Sequence, residues 1–281
     1  MNKTCLIINF WLGNRRRFPL IYDKDKLIFL KQQIIFLEKY KNNVDTIFFN
    51  FNVDKEHYEL LSKAINITPK KIGNSEIKIN IRENYDFSYG AWNEITKKEI
   101  ENYDYFIFNE DDYVFTQNNW DDYLVKKFNS KDNMGYLGMA VRELRIYPEV
   151  KKILGYENYE TVRESFHSVG ITSSDNLKLL FNKKGNLIEE NKSNSYNTEK
   201  GRIELTQTRW SAQYYEIGKE NFDVRNEYQV DFQLTDRKED IWRLFHWNEE
   251  KIMMSLRTVL QPNHTWYMCY DYDYQKQKEY E

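Results

Sequence analysis

Glu110, Asp111 and Asp112 stand in a row, one residue beyond the apolar run Tyr105-Phe106-Ile107-Phe108. The run is brief, aromatic and β-branched, and polar residues bound it, which predicts a buried strand. A strand of this kind aims three carboxylates at its own C-terminal end. Carboxylates so crowded repel one another unless water, basic groups or a cation neutralises them. Ligands of open α/β sheets gather at the carboxyl ends of the strands. Oxygen donors in that place suit a divalent ion that keeps some of its waters and bridges to substrate phosphates. A second cluster has the opposite sign. Arg15-Arg16-Arg17 follows the apolar run Thr4 to Trp11 after a break at Leu12-Gly13-Asn14, and Pro19 delays helix entry. A basic loop just past a first strand is well placed for a diphosphate, although the same residues also suit a solvated charge cluster.

The elements that must hold these groups follow from periodicity. Thr4 to Trp11, Thr46 to Phe51 and Tyr105 to Phe108 read as buried strands, and Glu76 to Arg82 alternates like a strand near an edge. Between them, Leu27, Leu30, Ile34 and Leu37 mark one helical face, and Tyr58, Leu61 and Ile65 mark a second. Ser88 can open a third helix carrying Ala91, Trp92 and Ile95. Asp54 is placed to cap the second helix. Four strands thus alternate with three helices, the signature of an α/β fold with a mostly parallel, Rossmann-like sheet flanked by helices. Further on, Met134 to Val141 reads as a strand, and Ser173 or Ser174 caps a helix that Lys183-Lys184-Gly185 ends. Thr206 or Thr208 opens another, with Trp210, Tyr214 and Ile217 on one face and Gly218 at its close. Tyr228 to Leu234 alternates as a strand and Asp240 to Trp247 suits a helix.

The 281 residues suffice for one large domain, and no repeat or interdomain linker interrupts them. The division we expect is functional: 1–133 as one half, 134–270 as the other, and 271–281 as a polar tail. A net charge of -3 speaks against a dedicated nucleic-acid binder, which carries a basic surplus. Cys5 and Cys269 are the only cysteines, so no disulfide framework is implied and a reducing compartment fits. With no secretory signal pattern and no apolar run of transmembrane length, the expectation is a soluble cytoplasmic protein without a transmembrane segment.

Two stretches then carry a resemblance. Asn84-Tyr85-Asp86-Phe87-Ser88-Tyr89-Gly90-Ala91-Trp92, followed by Tyr105 to Asp112, resembles the GT-A-type glycosyltransferases, broadly family 2, with local likeness to rhamnan-synthesis-type transferases. The likeness covers about the first half of the chain. It departs from the family in having Glu110-Asp111-Asp112 where many members have Asp-x-Asp, and in lacking a glycine between Asn84 and the aromatic residue. The resemblance implies a GT-A sheet with a C-terminal acceptor-side region. It implies transfer of a sugar from a nucleotide-diphosphate donor (UDP-, GDP- or dTDP-linked) to a glycan, glycoconjugate or other hydroxyl acceptor, with inversion. Base and ribose would lie near Asn9, Phe10, Trp11 and Asn52, while Asp86 and Asn93 would approach the nucleoside or donor sugar. Asp112, with Glu110 or Asp111, would hold Mn2+ or Mg2+ against the phosphates. Arg15, Arg16, Arg17 and Arg82 are candidates for the charge that grows on the leaving diphosphate.

By its order along the chain, Glu204 in Gly201-Arg202-Ile203-Glu204 takes the place of the family's general base, with Glu216 and Asp236 as fallbacks; Glu204 equally suits a helix start. His246 and His264 are candidates for a third metal ligand of the kind many GT-A enzymes use. Trp210, Trp242, Trp247 and Trp266 suit either buried packing or an acceptor platform. Two alternatives stay open: a sugar nucleotidyltransferase, which ordinarily has a glycine-rich phosphate loop where this chain has only Gly13, and a non-catalytic glycan-binding protein on the same fold.

Overall fold

The computed structural model describes residues 2–13, 25–84, 87–138, 141–145, 161–165, 169–188, 206, 209–224 and 253–256. Arg15, Asp86, Glu204, His246 and His264 lie outside them, as do the strand expected at Tyr228 to Leu234 and the helix expected at Asp240 to Trp247.

The first strand, β1 (Thr4–Leu12), is buried along nearly its whole length. It pairs in parallel with β2 (Thr46–Val53) on one side and β5 (Tyr105–Glu110) on the other, and β2 pairs in parallel with β4 (Ser75–Glu83). Counted in chain order these four parallel strands lie 3-2-1-4 across the sheet, as in doubly wound nucleotide-binding folds. The order reverses between β1 and β5, so the crevice at their carboxyl ends is the topological switch point. The sheet reaches eight strands through the two-residue β3 (Lys71–Ile72) beyond β4, and through β10 (Gly170–Ser173), β7 (Met134–Gly138) and β11 (Glu220–Asp223) beyond β5. β10 runs antiparallel to both neighbours, while β11 runs parallel to β7. The fold is α/β with a mostly parallel sheet, as the alternation of elements predicts. Two small ribbons complete it: β6 (Tyr113–Phe115) with β12 (Met253–Ser255), and β8 (Val141–Arg145) with β9 (Thr161–Ser165).

Helices cover both faces. On one lie α1 (Ile28–Lys39), α2 (Tyr58–Ile67) and α4 (Trp120–Phe128), packing Leu30, Leu37, Leu61, Ala64, Leu124 and Phe128 onto Leu6, Ile8, Phe10, Phe49 and Phe51. On the other lie α3 (Phe87–Glu99), α5 (Ser174–Lys184) and the helical turns at 209–217. Here Trp92, Trp210, Tyr89, Phe108, Tyr136 and Tyr214 form an aromatic cluster over Cys5, Ile7 and Phe48. Trp210 is therefore packing and not a platform: it is 1% exposed, against Trp92 at 5.4 Å between ring centroids. Ser173 caps α5 by accepting the Asn176 N–H, and Gly185 closes it at φ 78°, the left-handed form that glycine takes without strain.

One expectation changes. Tyr58, the first residue of α2, is 48% exposed, and the buried face of the helix is carried by Leu61 and Ala64. β4 presents its isoleucines to solvent, Ile79 at 40% and Ile81 at 46% exposure, while Arg82 is buried at 5%. The reason is that β3 pairs only with Ser75 and Glu76, and the α3 face of β4 is the more enclosed one.

Candidate active site

On the α3 face, the strands change from apolar to polar at one level. β1 reads Cys5 and Ile7, then Asn9 and Trp11; β2 reads Phe48, then Asn50 and Asn52; β5 reads Phe106 and Phe108, then Glu110; β4 carries Lys78, Asn80 and Arg82. Strand register aligns these into rows. Glu110 lies beside Asn9, Asn9 beside Asn50 and Asn50 beside Asn80; one step outward, Trp11 lies beside Asn52 and Asn52 beside Arg82. Alternation of side chains along a strand puts Phe10 on the opposite face, 1% exposed against Phe49 and Phe51. The expected base contact at Phe10 is thereby corrected: its ring has no free side.

The amides of the row bind one another. Asn9 Oδ1 accepts from Asn50 Nδ2 and, at 3.0 Å, from Asn52 Nδ2. Asn50 Oδ1 accepts from Asn80 Nδ2 at 2.7 Å. Asn9, Asn50 and Asn52 are all buried, and their amides satisfy one another in a network inside the sheet. Arg82 is likewise drawn inward. Its guanidinium donates to Asn52 Oδ1 and to the Phe87 carbonyl, each at 3.3 Å, and its Nε lies 3.4 Å from the Glu94 carboxylate. Its task is the entry of α3, where Phe87 has φ 51°, a conformation that a bulky aromatic residue adopts only under strain. Asn93, nearly two helical turns on, accepts the Leu187 N–H at 2.8 Å and ties α3 to the segment after α5.

The acidic turn between β5 and β6 is built from both sides of the sheet. On the α1 face, the buried Gln33 donates through Nε2 to the carbonyls of Asp111 at 3.0 Å, Tyr113 at 2.5 Å and Glu110 at 3.4 Å. Asn109, also buried, donates to the Tyr113 carbonyl at 2.9 Å. These amides fix the turn's backbone. On the α3 face, Ser88 Oγ lies 3.1 Å from Glu110 Oε1. Asp111 is 6% exposed and its carboxylate accepts the Trp11 N–H at 3.2 Å, while its own N–H donates to the Asn9 carbonyl. That engagement makes Asp111 a brace between β5 and β1. Glu110 and Asp112 are only half-buried at the switch point. The Asp112 carbonyl accepts the Leu256 N–H at 2.7 Å, which brings β12 alongside the turn.

Across the crevice, the carboxyl end of β1 is tight. A Cβ on Gly13 would lie 2.4 Å from Trp11 Nε1 and 3.2 Å from Asp54 Oδ2, so only glycine lets the indole and the end of β2 come together there. Asp54 does not cap the following turn with its side chain. Among the described residues, the group of three metal-type ligands that converges is Asp54, Glu56 and His57, at the end of β2, with Glu56 exposed. Glu110 and Asp112 form no such trio within the described residues. Two half-buried carboxylates nonetheless match the oxygen-donor chemistry of Mn2+ or Mg2+, ions that complete their shells with water and phosphate. Glu216 is committed elsewhere, paired with Lys184 at 3.1 Å, and its carbonyl takes the Lys183 ammonium. Burial pushes the Cys5 thiol well above its ordinary range, so it is no nucleophile.

Sequence reasoning missed Gln33, Ser88, Asn50 and Asn80 as parts of the site. A signal existed for the first: Gln33 sits on the buried helical face between Leu30 and Leu37.

No family model matches the chain, and no curated protein does. Solved structures similar to it include the glycosyltransferase GlyE of Streptococcus pneumoniae, at 10% identity and TM-score 0.43, over 99% of this chain and 60% of that one. A cytidylyltransferase from Leptospira borgpetersenii is similar at 13% identity and TM-score 0.46, over 95% of this chain and 100% of that one. CMP:2-keto-3-deoxy-manno-octonic acid synthetase in complex with CTP is similar at 11% identity and TM-score 0.42, over 79% and 89%. This chain thus spans less than two thirds of that glycosyltransferase. Such values leave the chemistry of this chain to its own residues.

Proposed function

We propose that the chain is a nucleotide-sugar-dependent glycosyltransferase of the GT-A type. It would move a sugar from a nucleotide-diphosphate donor to a glycan or other hydroxyl acceptor. The observation that carries the reading is the position of Glu110 and Asp112 at the switch point of a 3-2-1-4 parallel sheet, on a turn that Gln33 and Asn109 hold rigid. In the reaction, negative charge grows on the departing diphosphate. Glu110 and Asp112 would hold Mn2+ or Mg2+ at the crevice, and the ion would supply the counter-charge for that oxyanion. Trp11, partly exposed at the end of β1, offers an aromatic surface at the crevice for a base. Arg15 in the basic loop after β1, Asp86 before α3, Glu204 as general base, and His246 or His264 as a third ligand complete the proposal from the sequence.

Calorimetry with UDP, GDP, dTDP and CTP, with and without Mn2+, tests it. Metal-dependent binding of a nucleoside diphosphate, lost in Asp112→Ala, is the expected result. Binding of a nucleoside triphosphate with a sugar phosphate instead would favour the nucleotidyltransferase. No nucleotide binding under either condition would leave only the non-catalytic alternative.

A further inference from the structure

Four hydrogen bonds run head to tail across the sheet and end on one carboxylate. Asn80 Nδ2 donates to Asn50 Oδ1, Asn50 Nδ2 to Asn9 Oδ1, Asn9 Nδ2 to Ser88 Oγ at 3.1 Å, and Ser88 Oγ to Glu110 Oε1 at 3.1 Å. The direction is fixed by the row itself. Asn9 Oδ1 already serves two amides, so its own NH2 must face Ser88. A hydroxyl that receives the Asn9 amide has one proton to give, and the acceptor at hand is Glu110. Aligned donors polarise one another in a low-dielectric interior, so each link strengthens the last. Charge-assisted hydrogen bonds are the strong ones, and this last link is of that kind. The chain starts on the half-buried Asn80 of β4 and passes through residues that the register places side by side.

From this geometry we infer that Ser88 is a positioning residue for Glu110. It turns the Glu110 carboxylate into one orientation at the crevice and transmits to it the polarisation of the asparagine row. Strained Phe87, held by Arg82 and Asn52 through its carbonyl, is what places Ser88 under the acidic turn. The inference rests on the reading of Glu110 as a metal-binding carboxylate. It adds that the ligand's geometry is set from α3, a different layer from the turn itself.

The test is a double-mutant cycle on the full chain, reading Mn2+ affinity in the presence of UDP, GDP or dTDP by electron paramagnetic resonance of free Mn2+. Glu110→Gln should weaken Mn2+ uptake. Ser88→Ala should weaken it about ten- to a hundred-fold, the loss expected of one hydrogen bond to a charged group. Ser88→Thr, which keeps the hydroxyl, should restore most of it. In the Glu110→Gln background, Ser88→Ala should add nothing, because Ser88 acts through that carboxylate. Asn80→Ala, at the far end of the row, should weaken binding by about two-fold.

Equal losses from Ser88→Ala in both backgrounds would overturn the inference, since Ser88 would then act on the fold. So would an unchanged affinity in Ser88→Ala when Glu110→Gln is impaired, and in that case the metal reading would survive. If Glu110→Gln binds Mn2+ like the parent, or the parent binds none, the metal reading fails and the inference with it. Thermal melting of each variant separates misfolding from loss of affinity, and the cycle stays readable if the extra methyl of threonine perturbs the buried site.

Discussion

The Asp111 carboxylate accepts the Trp11 backbone N–H at 3.2 Å, pinning the turn after β5 to the last residues of β1. Its neighbour Asp112 is half-buried at the crevice, where the proposed function gives it to the metal, so the two adjacent acids should divide between structure and chemistry. Asp111→Ala should lower stability by about 1–3 kcal/mol, the usual effect of removing a hydrogen bond to a charged group and leaving its buried donor unsatisfied. Asp111→Asn keeps an acceptor oxygen and should lose less. Asp112→Ala should cost less stability than Asp111→Ala while losing Mn2+-dependent nucleotide binding. Urea denaturation paired with calorimetry checks this. Equal destabilisation by both alanine changes would remove the division of labour.

Gln33 is the hidden support of the same turn. It is 1% exposed and serves three carbonyls of residues 110–113. Gln33→Leu keeps the volume and removes the donors, taking this partner from the Glu110 and Asp111 carbonyls while Asn109 still serves Tyr113. The cost should be about 1–3 kcal/mol for each oxygen left unsatisfied, seen as a lower urea midpoint. Gln33→Glu should be worse, because a carboxylate would face the same carbonyls. A leucine variant as stable as the parent would show that water replaces the amide.

A third prediction concerns the centre of the sheet. Gly170 on β10 lies between Phe108 of β5 and Gly138 of β7. A Cβ there would sit 2.4 Å from the Leu137 carbonyl and 2.6 Å from the Tyr136 ring. The carbonyl belongs to a paired strand and cannot withdraw cheaply. Gly170→Ala should therefore cost about 1–3 kcal/mol or more through overpacking, measurable as a fall in Tm. An unchanged Tm would mean that β7 and β10 can separate.

What the sequence made legible was what lies within single elements. The buried run at Tyr105 to Phe108, the acidic tip, the cap at Ser173 and the stop at Gly185 are each decided by a few neighbouring residues. The site was harder to read because register decides it. Asn9, Asn50 and Asn80 are separated by 41 and 30 residues, and only the pairing of β1, β2 and β4 makes them one row. Parity within a strand was available, however. Asn9 and Phe10 cannot face the same side of a sheet, and the apolar partners of Phe10 on alternate positions, Leu6, Ile8 and Leu12, already assign it to a core face. The contacts of Arg82 were hidden for a related reason. A lone arginine on an alternating strand looks like a solvent-facing cation until the strained entry to α3 shows which carbonyl it must reach.

The last prediction is a pH dependence away from the crevice. Asp121, in the first turn of α4, is 2% exposed, and its carboxylate accepts the Asn43 N–H at 2.8 Å. Burial raises its pKa; the bond from Asn43 opposes the rise, and the charge of Asp122 beside it adds to it. A folded-state pKa above the unfolded one means that the folded chain holds this proton more tightly. The contribution of Asp121 is then fully present below the unfolded carboxylate pKa and is lost as pH rises through the higher, folded value. Above that window the ionised side chain is a standing penalty. Asp121→Asn keeps an oxygen for the Asn43 N–H and cannot ionise. Its stability relative to the parent should therefore rise with pH across the acid range and level off towards neutrality, where the variant should be the more stable. Urea midpoints taken from pH 3 to pH 7 give the comparison directly. A difference that stays flat with pH, or falls, would show that the helix N-terminus and the Asn43 bond outweigh the burial of the charge.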